Sequence, residues 1–291
     1  MKKHVLGLTI ATLLLAACGG SGSDNDSPAD PQKPNNNGAT PIAPGKEETP
    51  TDPGNNNGRN PDGSSDLIPP PTNQGDKDKE KPKAAYQGKA FIVPLGQQPK
   101  SLAEAKDVSS DDLAILNLAG KQLPLQLPNL NQGNINSIRG AVIGNTSYKQ
   151  FVVSGSNYKN SKFGYVNDGT DDYIFSQGAL TANMPASGVV KYSGAAAVGR
   201  AAVVDTAVAN FSADFGAKTL TGKITQNAQS NLKFNPIDIA ASINGNHFSS
   251  KDDATVKTTG SFYGDNAREL GGIFQDSTQV LSGSYGAIRT N

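Results

Sequence analysis

The stretch "GSFYGDNARELGGIF", residues 260–274, gives the clearest indication of the fold. Residues 256–262 lead into it with the alternation of small or polar and larger side chains that is typical of a β-strand. The alternation breaks at Gly-Asp-Asn 264–266, passes through four helix-favouring residues, and resumes after Gly271-Gly272. The pattern therefore predicts two strands joined by a short polar excursion.

The residue types of the excursion indicate a structural role. Glycine and asparagine tolerate positive φ, so Gly264 and Asn266 suit a tight reversal. Asp265 or Asn266 is expected to cap a single helical turn at 267–270. The paired glycines that follow allow the chain to re-enter a closely packed sheet, and Leu270 is placed to close the mouth of a barrel.

Similar strands recur on both sides of this stretch. About eight short alternating segments fall between residues 187 and 288, and Asn244-Gly245 between two of them is a strong hairpin signal. Their up-and-down order and small side chains predict a closed, eight-stranded antiparallel β-barrel over 184–291. Residues 86–183 also alternate, with a possible capping box at Ser101–Glu104, and predict a smaller β-rich subdomain before the barrel. The expected fold class is all-β.

The first part of the chain has a different composition. Residues 1–17 carry Lys2-Lys3 and a short apolar run, which predicts a signal peptide, and "LAAC" resembles a bacterial lipobox with Cys18 as the lipidated residue. Residues 18–85 are rich in Gly, Asn, Asp and Pro and contain no aromatic residue. Such a sequence cannot bury enough apolar surface to offset chain entropy, which predicts a disordered tether.

Composition argues against several classes of function. The 26 basic and 26 acidic residues balance, so net charge gives no argument for nucleic acid. Cys18 is the only cysteine, and neither a phosphate-binding loop nor a dinucleotide fingerprint is present. His247 is the only histidine after the predicted signal peptide, so a Ser-His-Asp triad would depend on it alone. We expect no enzyme.

Two polar features allow alternative interpretations. His247 follows the predicted Asn-Gly hairpin and is expected to be an ordinary turn residue, although imidazole can also ligate haem iron. The acids of "NDGTDD" at 167–172 and the pair Asp252-Asp253 are expected to be solvated turns, because they lack the spacing of a calcium loop. No metal site is predicted, and haem is the one cofactor left open.

Five segments in order resemble the transferrin-binding-protein-B-like β-barrel of Gram-negative surface lipoproteins. They are 184–196, 213–224, 244–250, 260–274 and 283–289. The resemblance implies a lipid-anchored protein of the outer membrane that faces the exterior and binds a host protein. It also implies delivery by a surface-lipoprotein translocon and partnership with a TonB-dependent transporter. The chain has one such barrel rather than two, which makes transferrin itself less expected.

The resemblance leaves the bound partner open. Iron or haem acquisition through transferrin or a haemoprotein is the first hypothesis, capture of the complement regulator factor H the second, and direct haem binding the third. Exposed aromatic residues often anchor such interfaces. The candidates near predicted turns are Tyr148, Tyr158, Phe163 and Tyr165, for which ordinary strand packing is the alternative.

Overall fold

A computed structural model describes residues 85–130 and 133–290. The predicted signal peptide, Cys18 and the predicted tether as far as residue 84 lie outside the described residues. Strands make up most of the described chain, and its helical elements are two single 3-10 turns, Leu102–Glu104 and Asp265–Ala267. Within the described residues, neither of these helical turns is long and apolar enough to cross a membrane.

The first eight strands lie before residue 179. They are β1 (Tyr86–Pro94), β2 (Lys106–Ser110), β3 (Ile115–Leu118), β4 (Lys121–Pro124), β5 (Ile135–Ile143), β6 (Thr146–Ser154), β7 (Ser161–Asn167) and β8 (Asp171–Gly178). Six of them form an antiparallel sheet in the order β2-β1-β8-β7-β6-β5, and β3 and β4 form a separate hairpin. A β-rich region before the barrel is therefore confirmed, and β2 is a strand that the sequence did not indicate.

The last eight strands close on themselves. They are β9 (Val189–Arg200), β10 (Val203–Asp214), β11 (Thr219–Gln226), β12 (Ile237–Asn244), β13 (His247–Ser249), β14 (Val256–Tyr263), β15 (Glu269–Asp276) and β16 (Leu281–Arg289). Every neighbouring pair is antiparallel, and β16 pairs with β9 to complete the barrel. The predicted eight-stranded antiparallel barrel is confirmed. Gly245, at φ 59°, makes the predicted Asn-Gly turn between β12 and β13.

Side chains fill the interior of the barrel. Aromatic rings from neighbouring and nearby strands meet there: Phe211 lies 4.8 Å from Tyr285 between ring centroids, and Phe248 lies 5.5 Å from Phe262. Leu270 is fully buried in the same cluster. Small inward residues on β9 and β10 leave room for these rings, as the alternation of the sequence requires. The interior of the barrel is therefore a packed core.

The excursion before β15 differs from the sequence expectation. The helical turn is Asp265–Ala267 and not 267–270, and its N-cap is Gly264 with φ 71° and no side-chain cap. The capping prediction for Asp265 or Asn266 is wrong because left-handed backbone at Asn266 and Ala267 makes the reversal instead. The turn at Leu102–Glu104 also forms without a side-chain cap from Ser101.

Two kinds of contact hold the six-stranded sheet on the barrel. Phe163 and Tyr165 project from β7 onto the barrel wall where Gly286 and Gly199 lie. A Cβ atom at either glycine would be 2.4 or 2.5 Å from the ring above it. Only glycine therefore lets the rings approach the wall so closely.

The second contact is a buried carboxylate. Glu269 of β15 is 2% exposed. It accepts hydrogen bonds from the backbone nitrogens of Lys159 and Asn160 at 2.9 and 3.1 Å. It also accepts from Asn160 Nδ2 at 3.0 Å and Ser161 Oγ at 2.6 Å. These donors come from the start of β7 and the loop before it, so one barrel residue fixes the start of this strand.

Candidate partner-binding face

The described chain starts at one end of the molecule, which distinguishes this end from the other. β1 begins with Gln87 opposite Gly178 and ends with Pro94 opposite Asp171. Ala179, next to Gly178, accepts a hydrogen bond from Gly264 N at 2.8 Å. We call this end, with the 264–267 excursion, the proximal end. The opposite end, with the turns at 167–171, 200–203 and 276–281, is the distal end.

Three aspartates hold the loops of the distal end. Asp168 Oδ1 accepts from Thr170 N and Asp171 N at 3.0 Å each, which closes the β7–β8 turn. Asp276 Oδ1 accepts from Thr278 N at 2.9 Å and closes the β15–β16 turn. The third, Asp205, binds the long loop between β11 and β12. Backbone and side-chain donors thus fix the loops before any partner arrives.

The contacts of Asp205 reach across the sequence. Its Oδ2 accepts from Ser230 Oγ at 2.9 Å and from Asn231 N at 2.7 Å. Burial alone raises the pKa of a carboxyl, but here the hydrogen bonds from Thr206, Ser230 and Asn231 outweigh it and lower the pKa of Asp205. Asp276 has a lowered pKa for the same reason, with Thr278 and Gln279 as its donors. Both groups are ionised acceptors at neutral pH.

Asp168 has in addition a cationic partner. Lys121 Nζ donates to Asp168 Oδ2 at 2.7 Å and to Tyr173 OH at 2.6 Å. Burial opposes ionisation of Asp168, but the Lys121 and Thr170 hydrogen bonds hold its pKa well below the ordinary range. The same bonds raise the pKa of Lys121. The β3–β4 hairpin, which carries Lys121 at the start of β4, is therefore tied to the distal turn.

A cavity of about 300 Å³ lies between the sheet and the β9–β10 turn at this end. Arg139 and Lys149 line one side, and Leu95 and Val203 add apolar surface. Within the described residues neither Arg139 nor Lys149 forms an ion pair. The cavity therefore combines two available cations with exposed apolar groups, a mixture suited to contact with another protein.

A buried acid forms the inner wall of this cavity. Asp172 is 1% exposed. It accepts from Tyr165 OH at 2.8 Å and from Asn167 Nδ2 at 2.6 Å. Burial raises its pKa, and the nearby Asp171 and Asp168 add to this, although the Asn167 and Tyr165 hydrogen bonds oppose it. Its partners come from β7, so the acid also stiffens the β7–β8 hairpin.

Large apolar side chains are exposed at or beside the distal loops. Leu95 is 47% exposed and Val203 48%. Val142, beside the β5–β6 turn, and Val280, in the β15–β16 turn, are exposed as well. β6 pairs with β7 only from Gln150 onward, so the β5–β6 hairpin extends past the end of the sheet. Four exposed apolar side chains at or beside the same loops make the distal end more apolar than a surface with single exposed residues.

The aromatic candidates from the sequence occupy other positions. Tyr148, Tyr158, Phe163 and Tyr165 are at most 3% exposed. The expectation that they are exposed loop anchors is corrected: Phe163 and Tyr165 pack on the barrel wall, and Tyr158 OH donates to Gly286 O at 3.0 Å. Tyr148 OH donates to Pro124 O at 2.8 Å under the β3–β4 hairpin. All four side chains therefore pack inside the molecule.

His247 lies at the seam between the barrel and the edge of the sheet. Its Nδ1 is 2.8 Å from Ser261 Oγ, a residue of the neighbouring strand β14. The adjoining cavity has a volume of about 200 Å³. Cofactor pockets usually enclose about 300–1,000 Å³, so this cavity is small for haem. A haem-ligand role for His247 stays a prediction.

The acidic residues of 167–172 and the pair Asp252-Asp253 have different surroundings. Asp168 binds Lys121 and the turn amides, whereas Asp172 faces inward to Tyr165 and Asn167. Asp252 and Asp253 lie exposed in the loop after β13. Among residues 85–130 and 133–290, no group of three or more His, Cys, Asp or Glu side chains is arranged to hold a metal ion.

Sequence reasoning missed the residues that define this face. Leu95 and Val203 are single apolar residues at strand ends, and Arg139 and Lys149 look like ordinary exposed strand residues. Pairing between β10 and β9, and between β6 and β5, brings them to one end of the molecule. The Asp-x-Thr pattern at Asp168 and at Asp276 is the local sequence signal for two of the distal turns.

The fold and this face define a class of protein. A closed barrel with a filled interior, a sheet docked on its wall and rigid loops at one end is a scaffold for presenting loops to a partner. Comparison with known proteins identifies the group within this class. A family model described as the C-lobe and N-lobe β-barrels of Tf-binding protein B matches residues 184–289.

Two curated proteins are similar to the chain. An uncharacterized protein of Haemophilus influenzae is 32% identical over 220 residues, which cover 69% of this chain and 74% of that protein. Transferrin-binding protein B of Moraxella catarrhalis is 30% identical over 158 residues, which cover 43% of this chain but 22% of that protein.

A solved structure agrees in fold. The isotype 1 transferrin-binding protein B of serogroup B Neisseria meningitidis aligns with a TM-score of 0.50 at 21% identity, covering 70% of this chain and 43% of that one. This chain thus spans less than half the length of the Moraxella and Neisseria proteins. Its barrel, residues 184–289, belongs to the transferrin-binding-protein-B-like β-barrel family.

Proposed function

We propose that this protein is a surface-exposed outer-membrane lipoprotein that binds a host protein through its distal end for iron or haem acquisition. The observation that carries the proposal is the rigid distal face, where exposed Leu95 and Val203 lie beside the cations Arg139 and Lys149. Family membership supports a binding protein rather than an enzyme. Lipidation at Cys18 would anchor the chain, and a surface-lipoprotein translocon and a TonB-dependent transporter are the proposed bacterial partners.

The physical logic is that of a preorganised interface. Loops that are already fixed lose little conformational entropy when a partner binds, so more of the contact energy appears as affinity. Asp168, Asp205 and Asp276 fix three loops with ionised hydrogen-bond acceptors. Exposed apolar side chains that lie beside polar and charged groups occur in protein–protein interfaces.

Serum capture tests the proposal. The purified chain from residue 19 onward, immobilised at its N-terminus, is incubated with serum from candidate hosts. Bound proteins are identified by mass spectrometry, with transferrin, haemoglobin and complement factor H as the named candidates. Retention of transferrin or haemoglobin supports nutrient capture, whereas retention of factor H supports the immune-evasion alternative.

Single substitutions then test the face. Val203→Asp and Leu95→Asp each place a charge in the apolar part of the distal end, and we expect affinity for the captured protein to fall by at least about tenfold. Val189→Asp is the matched control, because Val189 is 59% exposed at the proximal end. Equal loss in all three variants, or no loss in the two distal ones, would remove this face from the proposal.

Haemin titration separates the direct haem alternative. A shift of the haem absorption band that His247→Ala abolishes would establish His247 as a ligand. A shift that survives His247→Ala would assign haem to another site.

A further inference from the structure

A cavity of about 570 Å³ lies at the proximal end, away from the face proposed above. It is formed by the start of β9, the excursion between β14 and β15, and the end of β16. Its polar lining is Lys191, Asp265, Asn266, Arg268, Arg289 and Thr290. Exposed Val189 adds an apolar edge.

The lining carries three cations and one acid. Lys191 Nζ donates to Ser212 Oγ at 3.0 Å, and Arg289 Nη1 lies 3.5 Å from Asn266 O, the outer limit of a hydrogen bond. The Arg268 side chain has no hydrogen bond or ion pair to any residue that the structure describes. Asp265 is the acid, and within the described chain it does not pair with these cations. The cavity is therefore cationic, with its donors largely unused.

The backbone that carries Arg268 is strained and firmly held. Asn266 and Ala267 both adopt left-handed φ values, 53° and 55°, which are unfavourable for residues with a Cβ. Tyr192 OH donates to Ala267 O at 2.8 Å, and Arg289 N donates to Arg268 O at 2.9 Å. Such strain persists where surrounding contacts enforce it and is concentrated at ligand-binding positions. Here it presents Arg268 beside Lys191 and Arg289, which come from two other strands.

We infer that this cavity binds a phosphate-bearing group of about the size of a sugar. Guanidinium groups bind phosphate oxygens in a bidentate way, and three cations around one site favour a doubly charged anion. A cavity of this volume exceeds the size of a bare phosphate ion and falls within the range of small-molecule sites. The inference is independent of the proposed host-protein binding, because the two features lie at opposite ends.

The source of the ligand follows from its place in the molecule. β1 begins at the same end as the cavity, so the chain leading back to Cys18 leaves from this end. Phosphate-bearing headgroups of the membrane or soluble phosphorylated sugars share the chemistry that the site recognises. Binding of a headgroup would turn the distal end away from the membrane.

Calorimetric titration of the chain from residue 19 onward with glucose 1-phosphate tests the site, with glucose and inorganic phosphate in parallel. We expect glucose 1-phosphate to bind more tightly than either. Arg268→Gln should weaken this binding about tenfold or more, since it removes charge-assisted hydrogen bonds. Asp265→Asn should strengthen it by removing the opposing charge. Lys233→Gln, an exposed lysine in the distal β11–β12 loop, is the matched control and should leave it unchanged.

Vesicle flotation distinguishes the sources. Binding to phosphatidylglycerol-containing vesicles, but not to phosphatidylcholine alone, with the same loss in Arg268→Gln, supports a membrane headgroup. Binding of glucose 1-phosphate without vesicle binding supports a soluble ligand. Absence of both, or equal affinities of Arg268→Gln and Lys233→Gln, would overturn the inference. A thermal unfolding midpoint of Arg268→Gln equal to that of the wild type is the check that the variant is folded.

Discussion

Single carboxylates organise the loops at the distal end of this molecule. Asp168, Asp205 and Asp276 each accept several hydrogen bonds from one loop, and their pKa values are lowered as a consequence. A carboxylate with two or three amide donors fixes a loop more strongly than an apolar contact of similar area, since each bond to a charged acceptor contributes about 1.5–3 kcal/mol. The distal loops are thus ordered by local chemistry, while the strands are ordered by packing.

Replacement of Asp168 tests this at one residue. Asp168→Asn removes the charge that Lys121 pairs with, and we expect a loss of about 1 kcal/mol in the free energy of unfolding at pH 7. The estimate is modest because the Lys121 side chain is 46% exposed. Urea unfolding of the wild type and the variant at pH 2–7 measures the difference.

The pH dependence of that difference has a definite sign. The folded pKa of Asp168 lies well below its ordinary value of 3.8, so ionised Asp168 stabilises the fold above about pH 4. The stabilisation is lost as pH falls from there through the folded pKa, and the two unfolding curves should converge. Asp238→Asn is the control, since its exposed ion pair with Lys223 should contribute little. A gap that persists undiminished at pH 2 would contradict the role of charge.

Among the elements, local sequence determined the strands but not the contacts between them. Alternating residues indicated most strands, and Asn244-Gly245 indicated a hairpin, because both signals act within a few residues. β2 escaped because "KDVSS" has one apolar residue and depends on pairing with β1. The burial of Tyr165 could not be predicted locally, because the ring packs against Gly199, which is distant in sequence. The distal face could not be predicted for the same reason, because strand pairing and not local pattern brings its residues together.

Docking of the sheet on the barrel depends on Glu269. Glu269→Gln replaces one acceptor oxygen by an amide that faces the donors of Asn160 and Ser161, and leaves buried donors unpaired. We expect a loss of about 2–3 kcal/mol in the free energy of unfolding, measured by urea denaturation. Amide hydrogen exchange at residues 159–161 should accelerate together with it.

A matched substitution separates this effect from loss of charge alone. Glu104→Gln alters an exposed glutamate that accepts one hydrogen bond, from Lys100 N at 3.2 Å, and should change stability by less than about 0.5 kcal/mol. Equal unfolding midpoints for Glu269→Gln and Glu104→Gln would show that the carboxylate does not hold the sheet.

At the scale of the whole molecule, the two ends carry different chemical groups. The distal end combines exposed apolar groups with fixed loops, and the proximal end combines a cationic cavity with the start of β1. A chain anchored upstream of β1 would have its cationic end nearer the anchor. The two proposals are therefore compatible in space, and each can fail without the other.

Lipidation at Cys18 would set this orientation, and Cys18→Ser tests it. Each methylene of an acyl chain contributes about 0.8 kcal/mol to membrane binding, so a residue with several chains anchors stably and a serine does not. We expect the wild type to fractionate with outer membranes and to be cleaved by protease added to intact cells, and Cys18→Ser to be recovered in soluble fractions. Ser21→Ala, which keeps Cys18, should behave as the wild type. Membrane fractionation of Cys18→Ser equal to that of the wild type would mean that another feature holds the protein at the membrane.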